Sequence, residues 1–134
     1  MKNVRKITNY LSKIPAIQAV YLFGSVAEGR ERQDSDVDIA VLLSYKLTAS
    51  QRFHLRTRLS ADLAGQMKRR VDVVVLNDVQ SVFFKYVIIK EGRLIYQRSE
   101  LSRAEFECRT LGDYFDFQPF LNLYNQHYVT RNAR

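Results

Sequence analysis

Apolar side chains recur along this chain at two spacings, and the switches between them lay out its elements. Val4, Ile7, Leu11 and Ile14 step by three and four, the spacing of an amphipathic helix, which Pro15 closes. Val20 to Phe23 is a continuous apolar run, the mark of a short buried strand, and Gly24-Ser25 break it where a helix can begin. From Ser35 to Leu43, Val37, Ile39 and Val41 recur at every second position, which predicts a second strand. Leu55, Leu59, Leu63 and Met67 then step by four behind Thr48 or Ser50 as N-cap, predicting a long helix with Arg52, Arg56 and Arg58 off its apolar stripe. Arg70 to Leu76 is a mainly β-branched run and reads as a third strand. Asn77 or Asp78 caps a further predicted helix with Val79, Val82, Phe83, Tyr86 and Val87 on its apolar face and Gly92 at its end. Arg93 to Gln97 is a fourth strand. Residues 99–128 form a last helical segment, capped by Ser99 or Ser102 and interrupted near Pro119. This order predicts an α+β (mixed α/β) fold: a small mixed sheet of about four strands flanked by helices, with a helical C-terminus.

Composition narrows the class. A chain of 134 residues has room for one domain, residues 1–134, and a chain of this size buries about two-thirds of its unfolded surface, enough for a core without staples. Cys108 is the one cysteine, which excludes an intrachain disulfide and a cysteine-rich zinc site; it is expected as a small buried apolar residue. His54 and His127 are too few and too scattered for a metal cluster. With no apolar run of membrane-spanning length and no signal-like N-terminus, the expected location is the cytoplasm. The net charge of +7 admits nucleic acid as a partner. Basic segments on either side of a central acidic stretch can instead steer an anionic ligand or simply face solvent, and a nucleic-acid module leaves the acids unexplained.

Those acids carry the chemistry. Side chains alternate along a strand, so Asp36 and Asp38 share one face while Val37, Ile39 and Val41 share the other. Two unit charges about 4 Å apart repel by roughly 1 kcal/mol in water and roughly 4 kcal/mol near a protein surface. A divalent cation removes that cost, and Mg²⁺ is usually held by one or two carboxylates with substrate phosphates and waters. Backbone N–H groups at the Gly24-Ser25 turn, with the Ser25 hydroxyl, offer the matching phosphate cradle. Asp72 is the single acid of the third strand. If that strand lies beside the second in matching phase, three carboxylates converge on one site, as two-metal phosphoryl or nucleotidyl transfer needs. Arg30 and Arg32 either touch phosphates or face solvent.

Gly24-Ser25, ten intervening residues, Asp36-Val-Asp38 and a later strand Asp72 resemble the signature of the nucleotidyltransferase superfamily typified by DNA polymerase beta. The short length and the C-terminal pattern Tyr114-Phe-Asp-Phe-Gln-Pro119 resemble, more narrowly, the minimal nucleotidyltransferase (MNT) antitoxins of HEPN/MNT toxin–antitoxin pairs. The first resemblance implies antiparallel pairing of the two motif strands. It also implies Mg²⁺-dependent use of ATP, with the phosphates on Gly24 and Ser25 and the metals on Asp36, Asp38 and Asp72. The narrower one implies a cognate HEPN-domain RNase toxin as partner, neutralised by AMP transfer to a tyrosine hydroxyl. Steric neutralisation without catalysis and transfer to a small hydroxylated molecule such as an aminoglycoside are the alternatives. Six of the sixteen aromatic residues crowd residues 114–128, where they either dock on a partner or cover the sheet.

Overall fold

The computed structural model describes residues 2–24 and 36–132, with side chains described over 4–24 and 36–116. Its elements are α1 (Lys2–Leu11), β1 (Ile17–Phe23), β2 (Val37–Leu43), α2 (Ala49–Met67), β3 (Val71–Val75), a 3-10 turn (Leu76–Asp78), α3 (Val82–Glu91), β4 (Arg93–Gln97) and α4 (Glu100–Asn132). The helix expected to open at Gly24-Ser25 falls outside the described residues, as do Ser25, Arg30 and Arg32. Four strands form one sheet in the order β3-β2-β1-β4. β1 runs antiparallel to both β2 and β4, and β3 runs parallel to β2.

Period-two alternation divides the core between the two faces of this sheet. Val20, Leu22, Val37, Ile39, Val41, Val71, Val73 and Val75 face α1 and α2, where Ile7, Leu11, Leu59, Leu63 and Met67 bury the other side of the layer. Each such leucine or isoleucine contributes about 1.5–3 kcal/mol by leaving water. Ala19, Tyr21, Ala40, Leu42 and Leu76 face the opposite way and meet Ile88 of α3 and Phe106 of α4. No helix among the described residues is long and apolar enough to cross a membrane.

Local chemistry sets the boundaries of the elements. Thr48 and Gln51 form a reciprocal capping box at the start of α2, selecting Thr48 over Ser50. Lys68 ends that helix with φ 53°, a left-handed turn that reverses the chain into β3. Ser99 accepts from the Ser102 N–H at the start of α4.

Four expectations are corrected. Asn77 and Asp78 do not cap α3; Ser81 does, accepting from the Phe84 N–H at 3.1 Å. Asn77 is used instead as a hook: its side-chain amide donates to the Leu43 carbonyl and accepts from the Leu43 N–H, both at 2.8 Å. Asp78 pairs with Arg52 at 2.8 Å. The buried residue of α3 is Ile88, while Phe83 is exposed, because an almost wholly apolar helix presents no unique face and the sheet chooses one. Cys108 is exposed, since Phe106 and Thr110 occupy the inward face of α4 and Cys108 lies between them on the outward side. Lastly, α4 is one span across Pro119; a proline removes one backbone donor, which a helix of this length survives.

Candidate active site

β1 and β2 run in opposite directions and β3 follows β2, so the end of β1 and the starts of β2 and β3 meet at one edge of the sheet. Gly24 leaves β1 there, Asp38 enters as the second residue of β2, and Asp72 as the second of β3. The register serves the chemistry: Asp38 is the ladder partner of Asp72 on one side and of Phe23 on the other. Directly opposed residues project to the same face, so Asp72, Asp38 and Phe23 form one cross-strand row. Asp36 stands one residue ahead of β2 and is exposed.

Burial, followed by the nearby Asp72 and Asp36 carboxylates and a hydrogen bond to Asp72, pushes the Asp38 carboxyl above its ordinary range, with Arg70 opposing. Arg70 Nε lies 3.4 Å from Asp72 Oδ1, a pair well exposed to solvent and of small energetic weight. Among the described residues, the charge of these carboxylates is answered only weakly. Among the described residues no trio of His, Cys, Asp and Glu is gathered closely enough to enclose a cation. The donor set nonetheless fits Mg²⁺, whose hard oxygen shell needs only one or two protein carboxylates when phosphates and waters complete it.

Gly24 is indispensable to this edge. Its φ is +77°, and a Cβ placed on it meets Asp38 Oδ2 at 2.4 Å, well inside contact distance. The backbone thus approaches the carboxylate as closely as a residue without a side chain permits. Ser25, its expected partner in the phosphate cradle, lies outside the described residues. His54 is exposed on α2 and takes no part. The sequence patterns single out no role for Phe23, yet its register with Asp38 puts it at the site. The apolar residue just before the Gly-Ser break is the one signal that points to it.

Paired carboxylates beside a glycine turn, on a sheet of this topology, define a nucleotidyltransferase-like protein. The chain belongs to the Polymerase beta, Nucleotidyltransferase family, which matches residues 5–101. Among characterised proteins it is similar to the protein adenylyltransferase MntA of Shewanella oneidensis, 34% identical over 93 residues. That match covers 69% of this chain and 64% of the relative, so the chain spans less than two-thirds of the relative's length. Among solved structures it is similar to a toxin–antitoxin crystallised with AMP-PNP, with TM-score 0.72, 25% identity and 96% and 97% of the two chains covered. It is also similar to a chain of the complex between a tri-AMPylated Shewanella oneidensis HEPN toxin and its MNT antitoxin, with TM-score 0.70, 26% identity and the same coverage.

Proposed function

We propose that this chain is a cytoplasmic antitoxin that transfers AMP from ATP, with Mg²⁺, to a tyrosine hydroxyl of a cognate HEPN-domain RNase toxin and so neutralises it. The observation that carries this reading is the in-register pairing of Asp38 with Asp72 against the Gly24 backbone. The similarity to MntA and to the AMPylated toxin complex supports the acceptor.

In this reading the Gly24-Ser25 turn holds the β- and γ-phosphates through backbone N–H groups, as anion sites of this kind do. Asp36, Asp38 and Asp72 would hold the metal, and the burial of Asp38 together with the nearby charge of Asp72 and Asp36 is what a cation would offset. When bound there, Mg²⁺ would supply charge neutralisation to the triphosphate. The tyrosine oxygen bonds to the α-phosphorus as the α–β phosphoanhydride bond breaks. Pyrophosphate leaves with the electron pair, and the phenolic proton passes to Asp72. Rate enhancement comes mainly from positioning and charge neutralisation.

The test is to mix the protein with a HEPN-domain toxin, its candidate cognate partner, and ATP labelled in the AMP moiety. Label on a tyrosine of the HEPN protein, dependent on Mg²⁺ and lost in Asp38→Asn, is the expected result. Neutralisation by an Asp36/Asp38/Asp72 triple-asparagine variant, without label, overturns it in favour of steric blocking.

A further inference from the structure

We propose that Phe23 and Phe84 form the wall against which the purine base of the nucleotide packs, a role that rests on the nucleotidyl-transfer reading of the adjoining carboxylates. The row Asp72–Asp38–Phe23 continues the site sideways across the sheet, and Phe23 closes it. β4 does not extend the row, because its last pairing with β1 is Leu22 with Arg93, one residue short of Phe23. The flank of the Phe23 ring is taken up by α3, from which Phe84 meets it edge to face, with centroids 6.1 Å apart and planes at 77°. Phe84 lies one turn before the buried Ile88 on the same side of α3 and is still 37% exposed. An apolar surface left open beside convergent polar groups is the usual make-up of a small-molecule site.

The dimensions suit a nucleotide. Adjacent strands lie about 4.8 Å apart, so the ring pair begins one strand beyond Asp38 and ends one ring contact further on. A ribose bridges a comparable interval between a phosphate over the carboxylates and its base. Every nucleobase has a π-face, so packing on Phe84 binds bases by stacking and leaves discrimination among them weak.

The test compares binding of ATP and of inorganic tripolyphosphate, each with Mg²⁺, to the full-length protein, alongside AMP transfer at varied ATP. Phe84→Ala is expected to weaken ATP binding and raise the KM for ATP by about tenfold while tripolyphosphate binding stays unchanged, because stacking is lost and phosphate contacts are not. Phe84→Tyr should restore ATP binding, and Phe83→Ala, exposed on the same helix, should leave it intact. Phe84→Leu keeps the apolar bulk and should still lose affinity, which guards against an alanine variant that folds badly. Equal weakening of ATP and tripolyphosphate, or a loss confined to the KM for the protein acceptor, overturns the proposal. If wild type and Phe84→Ala both transfer AMP with the same KM for ATP, the base wall fails while the transferase reading stands. If wild type binds ATP through Phe84 but labels no HEPN protein, the transferase reading fails instead.

Discussion

Replacing Gly24 by alanine tests whether the site depends on backbone touching carboxylate. The new methyl group starts 2.4 Å from Asp38 Oδ2 and sits on a residue with φ +77°. A left-handed backbone costs a non-glycine residue about 1–2 kcal/mol. The carboxylate must also withdraw by roughly an ångström to regain ordinary contact distance. Domains of this kind are stable by about 5–15 kcal/mol, so the variant should remain folded while its urea midpoint falls. Activity should fall much further: a misplacement of about 1 Å at a reacting centre can cost about 100-fold in rate. The assay pairs urea unfolding with AMP transfer to the HEPN partner. Gly65→Ala is the control, since nothing lies within 4 Å of its added Cβ in the last turn of α2 and the change should stabilise by at most about 0.5–1 kcal/mol. A Gly24→Ala protein that transfers AMP at the wild-type rate would refute the geometry.

Asp38→Asn should abolish transfer yet leave metal-free protein as stable as wild type or more so at neutral pH. Because the folded state raises this carboxyl above its ordinary pKa, the folded state holds the proton more tightly; the associated stability is present below the ordinary pKa and lost as pH rises through the folded value. Urea unfolding in a chelator at mildly acidic and neutral pH checks this, and the variant should lose that slope. Asn77→Ala leaves the Leu43 N–H and carbonyl unpaired and should cost about 1–3 kcal/mol by thermal or urea melting. Tyr21→Phe removes the 2.6 Å hydrogen bond donated to Glu107, whose carboxylate Arg103 also holds at 2.7 Å, and should cost about 1.5 kcal/mol with transfer unchanged.

Strand phase is legible in the order of residues alone. An aspartate between Val37 and Ile39 must point opposite to them, whatever the sheet does around it. The stripe Leu59, Leu63 and Met67 is equally legible, because only one surface of α2 carries spaced apolar residues. α3 is not. Its residues are nearly all apolar, so neither its start at Ser81 nor its burial of Ile88 follows from periodicity. Asn77 fits a capping position by type, but two free hydrogen bonds on Leu43, far along the chain, claim it instead. In α4 the crowded aromatics divide: Tyr114 stacks flat on Tyr86 at 3.7 Å, while Phe115 stays exposed.

The sequence by itself determined the order of strands and helices, and that Asp38 points away from Val37 and Ile39 with a glycine turn close by, because those properties follow from local periods and backbone sterics. Only the tertiary structure decided that Asp72 stands in register with Asp38, that Phe23 completes their row, and that Phe84 closes on it. Register and helix placement arise from pairing between segments tens of residues apart, and no local pattern encodes which residue will face which across that gap.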